Sequence, residues 1–389
     1  MSALIAGYAR TPFSRFNGRF ASIPATALGA HAITAALRRA GVAASDVQYV
    51  IAGHVLQAGA GQNPARQSAV GAGIPLSVPA LTLNAVCLSG MEAVVAAERL
   101  ISGGEADIVV ALGQESMSLA PHAFHARAGQ KYGAMEALDT LELDGLTDAF
   151  EKRSMGISTE DGNTDYGLDR TSQDAWAAAS HQRADAHAAF LTEEIEPYTL
   201  VSRRGDTVVV DDDGVRAGTT TESLDGLRPA FDREGTITAG NSSQLTDGAA
   251  ALVLVSESAA ERLGLSPLAR VESHALVAGP DVRLHDQPAN AILAALKNIN
   301  ATVEDLAAVE INEAFAAVSV QSVRTLGINP DIVNTRGGAI ALGHPIGASG
   351  ARIVGTLARQ LVELGPGRLG AAGICGGGGQ GSAIILRSL

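Results

Sequence analysis

Residues 36–52, ALRRAGVAASDVQYVIA, and residues 295–311, ALKNINATVEDLAAVEI, carry the same pattern of apolar and polar positions. Displaced by 259 positions, Ala36 and Leu37 fall on Ala295 and Leu296, Asp46 falls on Asp305, and Val50 falls on Val309. Each copy predicts a helix with apolar residues at helical spacing, a short polar turn, and a buried strand. A second match follows at a displacement of 260, where Cys87-Leu-Ser-Gly90 falls on Gly347-Ala-Ser-Gly350. Each Ser-Gly predicts the start of a helix, Met91–Ile101 in one copy and Ala351–Glu363 in the other. Both helices stop at glycine, and apolar strands Ile108–Leu112 and Leu369–Ile374 follow. Two displacements that agree to within one residue indicate a duplicated α/β unit of about 120–140 residues.

The stretch between the copies has a different character. It holds Gly-rich turns, the acidic run Asp211–Asp213 and one clear helical pattern, Ser172–Ala189, with Asp174 in its first turn. The acidic run reads as a solvated turn, and the whole stretch as an inserted loop domain of the kind that shapes binding sites. The expected division is an N-terminal half from 1–118 plus 246–267, an insertion at 119–245 and a C-terminal half at 268–389.

Composition narrows the function classes. The 389 residues are 46% hydrophobic and 18% charged, enough apolar material for a large core. A net charge of -13 argues against a general nucleic-acid binder, which carries a basic face. No apolar run approaches the roughly 18 residues needed to span a bilayer, and MSALIAGYARTPF has no signal-type pattern, so a cytoplasmic protein is expected. The two cysteines, Cys87 and Cys375, are too few for a disulfide scaffold and fit no zinc spacing.

Four motifs could carry chemistry. In Asn84-Ala-Val-Cys-Leu-Ser-Gly90 a strand end meets a helix start, so Cys87 would feel the positive helix terminus, which favours thiolate. His344 lies in the glycine-dense run from Gly337 to Gly350, placed to deprotonate a thiol or polarise a carbonyl. The duplication puts it at the position equivalent to Asn84, so pseudo-twofold packing would bring the two turns together. Cys375 heads four consecutive glycines, a backbone able to turn N–H groups toward a developing oxyanion. Asn312-Glu-Ala-Phe315 leaves a buried strand with polar side chains that need partners. Gly61–Gln67 reads as a surface turn into a helix, and His31, His181 and His187 as polar surface positions. His122-x-x-His125 lacks a third metal ligand.

Taken as a set, these motifs resemble the thiolase family, and the resemblance runs from Ala9-Arg-Thr-Pro12 to Gly381. It implies an α/β fold with a duplicated five-layer α/β/α/β/α core and an inserted loop domain. It implies that Cys87 accepts an acyl group as a thioester, that His344 activates it, and that Cys375 exchanges the proton of the α-carbon. Asn312, through a water, and His344 would stabilise the enolate oxygen, and the N–H groups of Cys87 and Gly377 the tetrahedral intermediate.

Gly113–His122, Leu227–Phe231 and Ala128–Gly133 resemble the short-chain, acetoacetyl-CoA branch, in which the last segment forms a tetramer-making loop. That likeness implies coenzyme A contacts from Arg216, Ser243 and Phe231 and an acyl pocket lined by Met155. It further implies acyl-CoA and CoA as the only partners besides other copies in a homotetramer, with no metal and no other cofactor. The chain departs from the branch at Ser154, where the branch has His, and at Leu284-His-Asp-Gln-Pro288, where it has Met-Gly-x-Gly-Pro. Both departures fall near the acyl or pantetheine end, and the loss of a bulky His at Ser154 would admit a longer or branched chain. The alternatives are therefore a degradative 3-ketoacyl-CoA thiolase and a non-catalytic thiolase-like binding subunit; the latter should have lost Cys87 or His344.

Overall fold

The structure, a computed structural model, describes residues 3–127 and 129–389. Met1, Ser2 and Ala128, the last opening the segment 128–133, lie outside the described residues. The strands that matter are β1 (Leu4–Arg10), β2 (Tyr49–Gly53), β3 (Ala80–Leu83), β4 (Ile108–Ser116) and β5 (Thr246–Val255), then β6 (Ala269–Ala278), β7 (Leu306–Ile311), β8 (Leu369–Gly376) and β9 (Gln380–Ser388). The principal helices are α1 (Ala25–Ala40), α2 (Pro64–Gly71), α3 (Ser89–Ser102), α4 (Met155–Tyr166), α5 (Arg170–Ala186), α6 (Gln287–Asn298), α7 (Ala316–Leu326) and α8 (Ser349–Leu364).

The duplication is visible in the strand order. From the centre outward, one half runs β1, β5, β4, β2, β3 and the other β6, β9, β8, β7, with Val333 bridging to Val309 where β3 pairs with β2. Strand senses match as well: β2 is parallel to β4, and β7 to β8, while β5 and β9 run antiparallel to their neighbours. The halves join through Leu4 and Ile5 of β1 against Arg270 and Ala269 of β6, so hydrogen bonding is continuous across both.

Alternation along the central strands builds the layers. Val109 and Ala111 face the α3–α8 side while Ile108, Val110 and Leu112 face α1 and α2. In the other half Ala372, Ile374, Ile384 and Leu386 join the α3–α8 core, and Ala371, Ala383 and Ile385 pack under α6. Strands buried on both faces read as continuous apolar runs for this reason. The result is the expected sequence of helix, sheet, paired helices, sheet, helix. Glycine decides how close the paired helices come: a Cβ on Gly90 would lie 2.8 Å from the Ala351 backbone nitrogen, and one on Gly350 would collide with the Met91 backbone. The two Ser-Gly steps of the repeat are therefore the crossing point of α3 and α8.

The stretch 119–245 differs from its sequence reading at four places. The helix expected at Ser172–Ala189 is α5, capped by Asp169 accepting from Ser172 N at 2.7 Å, and a second helix, Ala188–Glu194, follows a break at His187. Asp174 is buried, paired with Arg170 at 2.6 Å and accepting from Asn241 Nδ2 at 2.8 Å, because α5 packs inward. The acidic run is not a solvated turn. Asp212 accepts two hydrogen bonds from the fully buried Arg10, at 2.6 and 2.8 Å, and Asp211 and Asp213 pair with Arg19. His181 is 3% exposed, its Nδ1 accepting from Arg216 N at 3.2 Å, and burial lowers its pKa to about 4. Gly61–Gln67 does form a turn into a helix, with Asn63 capping α2. Among the described residues no helix is long and apolar enough to cross a membrane.

Candidate active site

The crossing of α3 and α8 places two turns side by side at the carboxyl ends of the strands. In the first, Val86 adopts φ 51°, a left-handed conformation that costs a β-branched residue about 1–3 kcal/mol. The motif supplies the restraints that hold it. Asn84 Oδ1 accepts from Val86 N at 2.9 Å, and Ser89 Oγ accepts from Ala85 N at 2.9 Å while donating to Val86 O at 2.6 Å. Cys87 follows, half-buried, one residue before the N-cap Leu88.

The protonation state of Cys87 corrects the sequence reading. Burial pushes its thiol up to about 11, and Glu115 adds to this, whereas a hydrogen bond from the Gly377 N–H acts in the opposite direction. The helix terminus favours thiolate, but loss of water outweighs it. At neutral pH Cys87 is a thiol and needs a base.

His344 has the form of that base. Its backbone nitrogen donates to Gln244 O at 3.1 Å and to Thr246 Oγ1 at 3.2 Å, and Gly343, at φ 106°, makes the turn that allows both. Ser349 Oγ donates to Pro345 O at 3.1 Å and lies 2.6 Å from His344 Nδ1. With its proton committed to the carbonyl, the hydroxyl accepts from Nδ1–H, which leaves the lone pair on Nε2. Burial, reinforced by the charge of Arg352, lowers the imidazole pKa to about 3, so it is neutral. Nε2 faces Asn312 Nδ2 at 3.5 Å.

Cys375 ends β8 at 1% exposure, and burial followed by the nearby Cys87 raises its thiol pKa strongly. The glycines after it turn back into β9, with Gly378 and Gly379 at positive φ. Gly377 approaches the Cys87 turn so closely that a Cβ there would lie 3.4 Å from Val86 Cγ1. Asn312 is fully buried, and its Oδ1 has no protein partner among the described residues, an arrangement suited to a bound water. Its neighbour Glu313 answers the question raised by the motif: it accepts from Trp176 Nε1, Ser180 Oγ, Asn334 Nδ2 and Ile340 N at 2.7–3.0 Å.

A cavity of about 730 Å³ opens over these groups. Cys87, His344, Cys375 and Gly377 line it, together with Ser154, Met155, Arg216, Phe231 and Ser243. Asn312 lies behind His344. Ser154 Oγ caps α4 by accepting from Ile157 N at 3.2 Å, which presents Met155 to the cavity. Phe231 stands edge-on to Phe315 at 6.0 Å, and no side chain at Gly156 would fit beside its ring. Ser243 is fixed to Ala314 O by both its N–H and its hydroxyl, at 3.1 and 3.0 Å. Arg216 has no carboxylate partner among the described residues, so its charge is free for an anionic ligand. Leu284, from the second departure, also lines the cavity, while His285 is buried against Asn163 at 2.9 Å.

Sequence reasoning missed Glu115. Fully buried at the end of β4, it accepts from Val55 N, Leu56 N and Gly347 N at 3.0–3.2 Å and pairs with His54 at 3.3 Å. It ties the loop after β2 to the His344 turn. A glutamate interrupting the apolar run from Ile108 was the available signal.

Two thiols, an imidazole and inward N–H groups around one cavity can carry acyl transfer through sulfur. Comparison with known proteins agrees. Residues 3–258 match the family described as thiolase, N-terminal domain, and residues 265–388 that described as thiolase, C-terminal domain. The chain is 51% identical to a probable acetyl-CoA acetyltransferase of Mycobacterium tuberculosis and 47% identical to the acetyl-CoA acetyltransferase of Shinella zoogloeoides, covering 100% of this chain and 99% of each relative. The crystal structure of the Bacillus anthracis acetyl-CoA acetyltransferase matches with a TM-score of 0.96 at 36% identity, over 100% of this chain and 99% of that one. With both family domains matched in order and nearly every residue covered, the chain belongs to the thiolase family.

Proposed function

We propose that this protein is an acetyl-CoA C-acetyltransferase, interconverting two acetyl-CoA with acetoacetyl-CoA and CoA through an acetyl-Cys87 thioester. The observation that carries the reading is geometric: Cys87, His344, Cys375 and Gly377 line one cavity, with His344 Nδ1 2.6 Å from Ser349 Oγ and Nε2 3.5 Å from Asn312 Nδ2. In the cleavage direction Nε2 takes the Cys87 proton as sulfur attacks the keto carbon. The N–H groups of Cys87 and Gly377 stabilise the oxyanion, and the carbon–carbon bond breaks to an enolate. The enolate oxygen is held by His344 and by a water on Asn312, and Cys375 delivers its proton to the α-carbon. A thiol with a raised pKa leaves a strong conjugate base, which is what removal of a weakly acidic α-proton requires in the condensing direction. CoA then gives its thiol proton to the Cys375 thiolate and takes the acetyl group from Cys87, whose sulfur leaves with the proton held on His344.

In this reading Arg216, Phe231 and Ser243 grip coenzyme A at the cavity wall, and Met155 and Ser154 border the acyl group. No metal or further cofactor enters the chemistry. The three-part division at 1–118 plus 246–267, 119–245 and 268–389 belongs to the same reading. So does a cytoplasmic homotetramer, for which the exposed Phe124, Tyr132 and Met135 offer apolar surface on the 122–139 segment. The small Ser154 side chain at the cavity wall favours, as a second reading, degradation of longer or branched 3-ketoacyl-CoA.

Thiolysis of acetoacetyl-CoA and of longer and 2-methyl 3-ketoacyl-CoA substrates, in wild type and Cys87→Ala, tests both. Fastest cleavage of acetoacetyl-CoA, absent in the variant, is expected. Preference for longer or branched substrates would select the second reading, and inactivity toward all of them would remove both.

A further inference from the structure

The segment 241–246 connects several walls of the site. Asn241 O accepts from Ala316 N, Ser243 is bonded to Ala314 O, and Gln244 reaches in two directions at once. Its side-chain Nε2 donates to Gly214 O at 3.2 Å and to Ile340 O at 3.4 Å. Both acceptors are carbonyls, which sets the orientation of the amide and uses both of its hydrogens. Its own backbone O accepts from His344 N at 3.1 Å and from Thr246 Oγ1 at 2.7 Å.

One residue therefore holds the arm that leads from Gly214 to Arg216, the short helix Ala339–Leu342, and the backbone of His344. The packing leaves little slack. A Cβ on Gly214 would lie 2.6 Å from Ala341 O and 2.9 Å from Gln244 Nε2, and a Cβ on Gly343 would collide with the Thr246 side chain. Gly214 therefore sits tightly against Ala341 and Gln244, whose carbonyl holds His344.

We propose that Gln244 is a positioning residue that couples engagement of the coenzyme A anion by Arg216 to the orientation of the His344 imidazole. The proposal rests on the roles given above to Arg216 and His344. Its consequence is that CoA does more than occupy its site: by fixing the arm it steadies the base that must take the Cys87 proton. Gln244 is half-buried, so its side chain can be changed without opening the core.

The test is a double-mutant cycle on acetoacetyl-CoA thiolysis with Arg216→Ala and Gln244→Met, reading KM for CoA and kcat separately, with melting temperatures alongside. Arg216→Ala is expected to raise KM and also to lower kcat about 5-fold, the scale of one lost hydrogen bond. With Gln244→Met already present, Arg216→Ala should still raise KM but leave kcat within about 2-fold. Gln244→Glu, which keeps length but cannot donate to either carbonyl, should behave in the same way and serves if Gln244→Met does not fold. An unchanged KM in Arg216→Ala overturns the role of Arg216 and the proposal with it. A raised KM with unchanged kcat, or kcat losses that multiply in the double variant, overturns the coupling while Arg216 keeps its role.

Discussion

The two copies of the repeat present the same turn and use it differently. Ser89 and Ser349 occupy equivalent positions, and each hydroxyl donates to a carbonyl just before it, Val86 O in one copy and Pro345 O in the other. In the first copy the hydroxyl also accepts from Ala85 N, and it holds the strained backbone that presents Cys87. In the second it accepts from His344 Nδ1, and it orients an imidazole. Asn84 and His344 are equivalent as well, one securing backbone and the other facing Asn312. Gly90 and Gly350 alone have kept a single purpose, because the helices they begin must cross at backbone distance. Duplication supplied two matched turns; the chemistry depends on their having diverged while the crossing did not.

Four substitutions and one change of condition separate those roles. Removing the proposed nucleophile is the most severe: Cys87→Ala should cut acetoacetyl-CoA thiolysis by about 10⁴-fold or more with the fold intact, as circular dichroism would show. The crossing comes next. Gly350→Ala forces a Cβ into the Met91 backbone and should cost about 3 kcal/mol or more in denaturant unfolding, or prevent folding. An unchanged unfolding midpoint would mean that α3 and α8 do not meet there.

The serines should then diverge. Ser349→Ala should lower kcat about 10- to 100-fold by releasing the imidazole, besides a stability loss of about 1 kcal/mol from its own hydrogen bonds. Ser89→Ala should chiefly lower stability, by about 1 kcal/mol, since it removes a backbone restraint. Equal losses of kcat from the two would contradict the division of roles.

The smallest effect concerns pH. His344, His181 and His285 are buried as neutral rings, with pKa values lowered to about 3, 4 and 4. Unfolded histidine protonates near 6.5, so the unfolded state binds protons first as pH falls. The stability these rings contribute is complete above about 6.5 and is lost progressively down to about 4 for His181 and His285 and about 3 for His344. Denaturant midpoints across that interval should fall, and should fall less steeply in His181→Gln.

Much of this was legible because it is local or repeated. The displacement of 259–260 residues exposed the duplicated unit, and glycine density around His344 and Cys375 marked turns that a packed core would not use. What the chain concealed depends on distant partners. Asp212 reads as a solvated acid until Arg10, 202 residues earlier, is placed beside it in the interior. His181 lies on a polar-looking helix whose inner face is set by Glu313 and Arg216. The protonated state of Cys87 was misjudged for a related reason: a helix terminus can be read from sequence, whereas loss of solvent cannot. Glu115 stood at the end of an apolar strand as an unexplained charge, and the loop after β2 together with the Gly347 turn supplies the reason.

The central claim is that a neutral His344 in one copy activates the Cys87 thiol of the other. The direct measurement is peptide-resolved mass spectrometry after brief incubation with acetyl-CoA, comparing wild type with His344→Asn at neutral pH. The account predicts rapid acetylation of the Cys87 peptide in wild type and very slow acetylation in the variant. It also predicts recovery in the variant as pH approaches about 11, where the thiol ionises unaided. Equally fast acetylation of both proteins at neutral pH, or acetyl on Cys375 in place of Cys87, would contradict it.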